Sequence, residues 1–526
     1  MAQPYDLATA LSVRVGEPGD TFWLSGGNYV IGHIDTKLQG APGQPITFRQ
    51  MHGERARVEG SLTFFESAGY VILRDFELYS SDTNRLSAQT GMGLFPTDIN
   101  PVIGIACYSP NFSFINLVVH DHTRSGIYIS EASTNTLTYG CVLYNNGWAS
   151  PDNAEGHSLY VQSHIGTRDI TDNVAFNAAG VNFHIYESRS GGQLAGITLD
   201  GNVAFHAGAL QAARRYPDWI VGVDAPAIHA DRIVLKNNMA YLPPASAAQD
   251  HVQIGREGIN GSVALLNNYL PLSLLMNNWT IAAVSGNLFA TQTGNPIVQL
   301  NQTKVSLAAA WGDNLYSRLE TGRDFQFNSI DYGFADWQQV TGYDGKSTHT
   351  VGSLGGTKVF VRPNQYEAGR AHIIVYNWDN LTNVAVDVGS ALVPGMAYEV
   401  RNAQDFFAPP VLSGVYDGNP LILPMTGLTV AAPNGPLLTP QPTGPTFNVF
   451  VLLPRLIRLQ ASSVEGQPQV FWPTNSGHWI LQFTESLSLN SAWTDDTNIP
   501  VVVDGRYAMT NLNPQGTRFF RLRAVP

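Results

Sequence analysis

The sequence predicts an all-β protein whose larger part is a solenoid of short stacked strands. Charged residues make up only 13% of the 526-residue chain, while 50 glycines and 31 prolines punctuate it. Short apolar runs recur about every 8–12 residues between Gly, Pro and Asn, which is the spacing of strands and turns. A third observation, an internal repeat, favours a solenoid over a sandwich or a barrel.

Each copy of the repeat is an Asn followed by a short apolar strand, and neighbouring copies lie about 19–36 residues apart. One copy cannot bury its apolar side alone, so stacked copies create the core. We expect the Asn to occupy the left-handed bend between strands, with its amide hydrogen-bonded from rung to rung. The copies lie at residues 114–120, 172–177, 201–206, 237–241 and 267–270, with a Gly-containing variant at 139–144 and a last copy at 286–289.

Three features resemble one known superfamily. They are Pro18-Gly19-Asp20-Thr21, the segment 43–60 and the Gly-Asn-Val-Ala-Phe rung at 201–205. They look like the right-handed parallel β-helix superfamily of pectate lyases and β-helical glycoside hydrolases, and the resemblance covers about residues 12–345. That superfamily includes lyases, hydrolases, esterases, epimerases and non-catalytic proteins, so the resemblance implies the fold and leaves the chemistry open.

The chain is expected to form three domains. Residues 1–345 form the right-handed parallel β-helix that carries the site, and a cap closes its end. Residues 346–455 form a β-sandwich, because longer alternating strands begin at Thr357. The Pro-rich run 437–445 is interpreted as a loop inside that sandwich. Residues 456–526 form a small C-terminal β-sandwich module, similar to modules appended to secreted proteins of environmental bacteria.

Composition limits the partners. The net charge of -12 argues against nucleic acid and anionic membranes, and no apolar run reaches the roughly 18 residues of a membrane span. Cys107 and Cys141 cannot form a disulfide framework, and whether they are bonded stays open. No metal site is predicted, because His120-Asp121-His122 lacks a third ligand. The first residues contain no basic region followed by an apolar one, so they are not predicted to be a secretory signal, and we expect a secreted or periplasmic bacterial protein and a monomer.

A polar ladder between residues 126 and 187 is the candidate site. With side-chain period two, Tyr128, Tyr160 and His184 form one outward column, and a second column lies beside it. The second column contains Ser130, Gln162 and Tyr186. Both columns are expected to continue through Gly222/Asp224 and Gln253/Gly255, which places Asp224 beside Tyr186 and Arg256 at the edge. The loop residues Trp148, Glu155 and His157 are expected to overhang one edge.

This mixture of aromatic rings, amides and charges is typical of a carbohydrate site. A polysaccharide or oligosaccharide is therefore the predicted substrate. The predicted binding residues are Tyr128, Trp148, His157, Tyr160, Gln162, His184, Tyr186, Gln253 and Arg256. The predicted catalytic residues are Asp224, Glu155 and Glu187, because a glycoside hydrolase needs two carboxyl groups.

Two alternatives stay open. A polysaccharide lyase would act by β-elimination on a uronate-containing glycan, and the resemblance implies a Lys or Arg base with Ca²⁺ for it. Lys236 is the only lysine between Lys37 and Lys304, which weighs against the lyase. Otherwise no cofactor is expected. A non-catalytic, glycan-binding or adhesive β-helix is the second alternative.

Overall fold

A computed structural model describes most of the chain in two compact units. The first unit comprises Met1–Gly355 with Val430–Thr443, and the second Gly356–Thr429 with Gly444–Pro526. The described residues are 5–12, 15–65, 67–93, 95–188, 192–224, 229–242, 249–291, 294–318, 324–455, 459–464, 467–473, 479–487, 492–503, 506–510, 512 and 516–524.

The first unit is the predicted right-handed parallel β-helix, whose turns supply strands to three parallel sheets called A, B and C. Sheet A contains Thr21–Leu24, Ile46–Gln50, Val71–Arg74, Phe112–Ile115, Thr136–Tyr139, Arg168–Thr171, Gln193–Asp200, His229–Lys236, Asn260–Leu266, Trp279–Ser285 and Ala308–Gly312. Sheet B contains Glu77–Tyr79, Val118–His120, Val142–Tyr144, Val174–Phe176, Val203–Phe205, Met239–Tyr241, Tyr269–Leu270, Leu288–Thr291, Leu315–Arg318 and Thr348–Val351. Sheet C contains Ile105–Cys107, Ile127–Ile129, Leu159–Val161, Phe183–Glu187, Pro217–Val223, Gln249–Ile254, Ser273–Asn277, Val298–Asn301, Phe325–Phe327 and, antiparallel, Ile330–Tyr332.

Two long strands begin both sheets B and C. Gly27–Thr36 and Ala56–Phe64 pair along their length, with a bulge between Val30 and Gly32. Their first halves continue into sheet B and their second halves into sheet C. The bulge re-aims the side chains of the second half, as bulges commonly do.

A buried row of asparagine side chains connects the rungs where sheet A turns into sheet B. Each Nδ2 donates to the Oδ1 of the next asparagine, and that Oδ1 also accepts the backbone N–H of the rung below. The row consists of Asn173, Asn202, Asn238, Asn268, Asn287 and Asn314, with Nδ2–Oδ1 distances of 2.8–3.1 Å. The predicted amide ladder is confirmed.

The left-handed bend, however, lies at the residue before each ladder asparagine. Asp172 has φ 54° and Asn237 has φ 55°, directly before Asn173 and Asn238. The side chain of Asn237 turns away from the row and donates to Asp200 at 2.8 Å. The expectation that one Asn serves both as bend and as ladder is therefore wrong, because the bend directs its own side chain away from the row.

Short helices lie at both ends of the β-helix. Leu7–Ala10 begins after Asp6, whose side chain accepts the Thr9 N–H. Phe334–Thr341 ends at Gly342, whose φ of 72° suits a glycine. Its residue Trp337 is fully buried, and the indole N–H donates to Asp344 at 2.7 Å.

Segment 430–443 belongs to the first unit, although strands of the second unit precede and follow it in sequence. The Asn434 N–H donates to Asp121 Oδ1 at 2.9 Å, and the Leu438 N–H donates to the Leu210 carbonyl at 3.0 Å. The interpretation of 437–445 as a loop inside the sandwich is thus wrong for residues 437–443. Composition identifies a loop and does not say which core the loop packs on.

A buried row of rings and charges lies on the outward face of sheet B. The rings of Tyr79, His120, Tyr144, Phe176 and Phe205 have neighbouring centroids 4.7–5.7 Å apart. His120 contacts Asp121 at 2.8 Å and Glu77 at 3.2 Å. Burial opposes protonation of His120, but its hydrogen bonds to Asp121 and Glu77 prevail and raise its pKa above 6.5. Arg85, fully buried, contacts Asp121 from the other side at 2.8 Å.

The described residues of the second unit form four antiparallel sheets. The first contains Thr357–Pro363, Ala371–Asn377, Phe447–Pro454, Ala397–Asn402 and Leu412–Val415, and the second Asn383–Val386 and Leu421–Pro424. A short 3₁₀ helix spans Ala403–Asp405. The third sheet contains Gln460–Val464, Gln467–Pro473, Arg506–Met509 and Val501–Val503. The fourth sheet contains Thr494–Asp495, Trp479–Thr484 and Phe519–Ala524. Residues 371–452 and 470–512 form separate apolar clusters.

Two further observations concern questions that the sequence raised. Cys107 and Cys141 are free, buried thiols. Within the described ranges, no helix is long and apolar enough to cross a membrane.

The charges on sheet B make stability depend on pH. The pKa of His120 is raised in the folded protein, so its contribution is complete below about pH 6.5 and is lost as pH rises through the raised pKa. We expect the difference in unfolding free energy between wild type and His120→Gln to shrink from about pH 5 to about pH 9 in urea titrations. The exposed His52→Gln is the control for the loss of a surface histidine. A His120→Gln difference that grew with pH would contradict this account.

Candidate functional site

The outward face of sheet C carries a platform of stacked rings. Tyr128 pairs with Tyr160 and Tyr160 with His184, as predicted for the first column. Tyr186 follows His184 on the same face of one strand. Ring centroids are 5.3 Å apart for Tyr128 and Tyr160, and 4.9 Å for Tyr160 and His184. The His184 and Tyr186 rings lie 4.6 Å apart.

On the rung after His184 and Tyr186, the prediction of which residues continue the two columns is wrong, because the true register is shifted by two residues. Ile220 pairs with His184, and Gly222 pairs with Tyr186. Gln253 pairs with Ile220, so an apolar side chain separates it from His184. The strand that contains Ile220 is buried along its whole length. Such a strand has no polar alternation from which a register can be inferred.

Asp224 lies at the edge where the strands of sheet C end, beside Tyr186 as predicted. The Tyr186 hydroxyl donates to Asp224 Oδ2 at 2.6 Å, and Arg256 Nε contacts Oδ1 at 2.9 Å. The Arg256 guanidinium also lies 5.5 Å from the centroid of the Tyr186 ring. A third of the Asp224 side chain is exposed (33%). Asp224 is therefore a carboxylate held at both oxygens and still open to solvent.

Glu155 and His157 approach from the opposite edge, where the strands begin. An antiparallel hairpin of Trp148–Ala149 and Ala154–Glu155 carries the carboxylate there. Glu155 Oε1 lies 3.1 Å from His157 Nε2, which lies 2.9 Å from His184 Nδ1. The sequence prediction that these loop residues reach the ladder is confirmed by these contacts.

The backbone determines the tautomers of the two imidazoles. The Val181 N–H donates to His157 Nδ1 at 3.2 Å, so His157 carries its ring proton on Nε2. That proton lies between Glu155 and His184 Nδ1, and both accept it. Burial, then the neighbouring His157 and Arg256, lower the pKa of His184 well below 6.5. Neutral His184 therefore carries its N–H on Nε2.

The other two titratable groups shift in opposite directions. Burial opposes ionisation of Glu155, but His157, Arg124 and Arg214 outweigh it and lower the pKa of Glu155 below 4.5. Burial and the hydrogen bond to Asp224 raise the pKa of Tyr186 well above 10. At neutral pH the groove thus contains a protonated phenol and an ionised Glu155.

Glu187 does not fit its predicted catalytic role. Its side chain is fully buried, on the same face of the strand as Phe183 and Ile185. His164 Nε2 contacts the carboxylate at 3.0 Å, and the Ser188 N–H donates to it at 2.9 Å. The alternation of this strand already predicts an inward side chain at position 187, so the polar residue type was the misleading signal.

Four predicted binding residues are buried in this arrangement. Trp148 is 1% exposed, His157 2%, Gln162 2% and Tyr128 6%. The Tyr128 hydroxyl donates to Gln162 Oε1 at 2.6 Å, and Gln162 Nε2 donates to Glu187 at 3.3 Å. Their burial leaves these four residues little surface for a ligand. Tyr160, His184, Tyr186, Gln253 and Arg256 are the predicted binding residues that keep partial exposure.

Sequence reasoning missed a basic and aromatic group near Glu155. The Tyr216 hydroxyl donates to the Ala154 carbonyl at 2.6 Å, and Arg214 donates to Asn153 at 2.8 Å. The Arg214 guanidinium lies 5.4 Å from the Tyr216 ring centroid. The triplet Arg214-Arg215-Tyr216, placed just before a strand of sheet C, was the available signal.

The described part of the chain contains no group of three or more His, Cys, Asp and Glu residues arranged to hold a metal ion. His120, considered as a ligand from the sequence, instead contacts Asp121 and Glu77. The expectation that the protein needs no cofactor stays a prediction.

No protein-family model matches the chain, and a search of curated proteins gives no match. Among solved structures, it is similar to pectate lyase Pel9A, with 14% identity, 59% of this chain and 73% of that chain covered, and a TM-score of 0.34. It is similar to a mannuronic-acid-specific polysaccharide family 6 lyase from human gut microbiota, with 13% identity, 63% of this chain and 81% of that chain covered, and a TM-score of 0.29. It is also similar to the catalytic unit of a GH87 α-1,3-glucanase from Streptomyces thermodiastaticus, with 14% identity, 68% of this chain and 70% of that chain covered, and a TM-score of 0.33. Similarity at this level says nothing about which reaction this protein performs.

The burial of Glu187 leads to a test. Glu187→Gln exchanges a buried acceptor of two donors for an amide, and we expect it to lower the free energy of unfolding by about 1–3 kcal/mol. The glycan cleavage predicted from the sequence is expected to keep its rate per folded molecule within about twofold, since a buried residue outside the groove would not contact the reacting bond. Thermal unfolding and initial rates on the same samples check both. The exposed Glu257→Gln is the control. Loss of activity in a folded Glu187→Gln protein would reinstate Glu187 as catalytic.

Proposed function

We propose that the protein is an inverting glycoside hydrolase that binds a polysaccharide or oligosaccharide across the ring platform of sheet C. The observation that carries the proposal is the placement of Asp224 and Glu155 at opposite edges of one platform. The rings of Tyr160, His184 and Tyr186 stack on one another and keep partial exposure. Their exposed edges therefore offer apolar surface between hydrogen-bonding groups, as sugar sites do.

The placement of the two carboxylates at opposite edges of the platform favours inversion over retention. Asp224 contacts Tyr186, Glu155 reaches His184 through His157, and the two rings lie 4.6 Å apart. The two carboxylates therefore lie at opposite ends of a series of contacts. A retaining enzyme needs carboxyl groups only about 5–5.5 Å apart, whereas about 6.5–9.5 Å leaves room for the water of an inverting enzyme.

Asp224 suits the role of general base. Arg256 and Tyr186 each occupy one of its oxygens, and both contacts favour the charged carboxylate. Its 33% exposure leaves it open to water. In this role Asp224 takes a proton from the water that attacks the anomeric carbon.

Glu155 takes the role of general acid and gives a proton to the leaving oxygen. The pKa of Glu155 lies below its usual range, so the protonated form is abundant only in acid. Activity is therefore expected to rise as pH falls toward that pKa. A polymer substrate further fits a protein that works outside the cell.

Two variants and one stereochemical measurement test this function. Asp224→Asn and Glu155→Gln are each expected to lower kcat/KM by roughly 10²–10⁴-fold on a substrate found in a glycan panel. Glu155→Gln should also remove the loss of activity at higher pH, because the group that loses its proton is gone. Proton NMR of the first product should show the anomer opposite to that of the substrate.

The control is Glu257→Gln, at an exposed carboxylate, which should leave the rate unchanged. Full activity of both Asp224→Asn and Glu155→Gln would disprove the assignment. A rise in ultraviolet absorbance from an unsaturated product would establish the lyase instead, with Arg256 beside Tyr186 as the group facing a uronate. Glycan binding without cleavage would establish the adhesive alternative.

A further inference from the structure

A serine, a histidine and an aspartate form a hydrogen-bonded series on the first rungs of sheet C. Ser61 Oγ lies 2.8 Å from His33 Nδ1, and His33 Nε2 lies 2.9 Å from Asp35 Oδ1. A carboxylate accepts only, so His33 carries its proton on Nε2 and accepts the Ser61 hydroxyl proton at Nδ1. This is the order of contacts in which an imidazole activates a serine.

The local sequence creates this arrangement through a bulge. His33 and Asp35 are two residues apart on one strand, so they share its outward face. Ser61 is the register partner of His33 on the next strand, and Gly32 pairs with Gly60 just before them. A Cβ at Gly60 would lie 2.1 Å from the Gly32 carbonyl oxygen. Only glycine permits this approach, which brings the Ser61 and His33 strands together.

Two of the three side chains, Ser61 and His33, line a cavity of about 630 Å³ together with Gly60, Asn100 and Thr123. Ser61 is 2% exposed, whereas the His33 side chain is 53% exposed. The serine is therefore the covered member of the series, and the base is open to solvent.

His122 forms another part of the cavity wall. Its ring lies over Gly104, where a Cβ would be 2.6 Å from Nε2. Leu62 pairs with Ile105 on the next rung. Ser61 and Gly104 come directly before these two residues, so they are neighbours across the two rungs. Burial and the charge of His120 lower the pKa of His122 to about 3. His122 is thus a neutral imidazole with one N–H, close to the rung of the serine.

We propose that Ser61, His33 and Asp35 form a second active site, which hydrolyses esters with a small acyl group such as acetyl. Ser61 is the nucleophile and His33 the general base. Asp35 is a positioning residue that holds the His33 tautomer. The depth of Ser61 limits the acyl group to a small one, and the open side of the cavity accommodates the alcohol part of the ester.

The reaction balances with water as the only co-reactant. Ser61 Oγ bonds to the acyl carbon while its proton moves to His33 Nδ1, and the His122 N–H stabilises the oxyanion. The bond between the acyl carbon and the alcohol oxygen breaks, and His33 gives the proton to the alcohol. Water then attacks the acyl-serine and passes a proton to His33, which returns it to Ser61 as the carboxylic acid leaves.

This activity does not depend on the glycosidase. Two strands of sheet C, Ile105–Cys107 and Ile127–Ile129, lie between the Ser61 strand and that of Tyr160. Neighbouring strands lie about 4.8 Å apart, so the two sites are separate by roughly 14 Å along the sheet. Asp224→Asn is therefore expected to leave ester hydrolysis unchanged.

The test uses the full chain with p-nitrophenyl acetate and a fluorophosphonate probe. Ser61→Ala and His33→Gln are each expected to lower the rate of acetate release by roughly 10²-fold or more. Asp35→Asn should lower it by a smaller factor, and Asp35→Glu should restore part of it. The probe should add its mass to the peptide that contains Ser61, and this labelling should be slowed in His33→Gln.

Ser67→Ala, at an exposed serine outside the cavity, is the matched control and should keep the wild-type rate. Thermal unfolding verifies that Ser61→Ala is folded. p-Nitrophenyl octanoate should be hydrolysed much more slowly than the acetate. Wild-type rates in a folded Ser61→Ala protein, labelling of a different residue, or no hydrolysis by the wild type would each overturn the proposal. None of these results depends on glycan cleavage.

Discussion

The site depends on the register between rungs, and the buried asparagine row fixes that register. Each ladder asparagine donates twice to the Oδ1 of the next one, through its side-chain amide nitrogen and through its own backbone N–H. A slip of one residue would break this row and would also turn every side chain of sheet C to the other face. The stacking of the Tyr160 and His184 rings therefore depends on the register that this row fixes.

The charged side chains around His120 on the outward face of sheet B are buried, whereas those beside Tyr186 on the outward face of sheet C are partly exposed. On sheet B, the ion pairs around His120 are buried, and segment 430–443 bonds to Asp121 among them. On sheet C, Asp224 and Arg256 keep about a third of their side chains exposed. A buried network stabilises one arrangement, whereas an exposed pair beside rings can exchange partners with a ligand. This contrast is the physical reason for placing the glycan on sheet C.

The sequence was sufficient for the β-helix, the amide ladder and the column of Tyr128, Tyr160 and His184, because all three follow from period-two alternation and the repeat. It also placed Asp224 beside Tyr186. It could not fix the register at Ile220, since a fully buried strand has no polar pattern. Glu187 was misassigned because a polar residue type was given more weight than its inward position. The packing of residues 430–443 on the β-helix depends on contacts hundreds of residues apart, which no local pattern contains.

The most direct measurement is a crystal structure of the Asp224→Asn variant with an uncleaved oligosaccharide from the glycan panel. We expect a sugar packed on the exposed edges of the His184 and Tyr186 rings, with its glycosidic oxygen toward Glu155 and a water between the anomeric carbon and position 224. A sugar bound elsewhere on the β-helix or on the second unit, with sheet C unoccupied at saturating ligand, would contradict the placement of the active site.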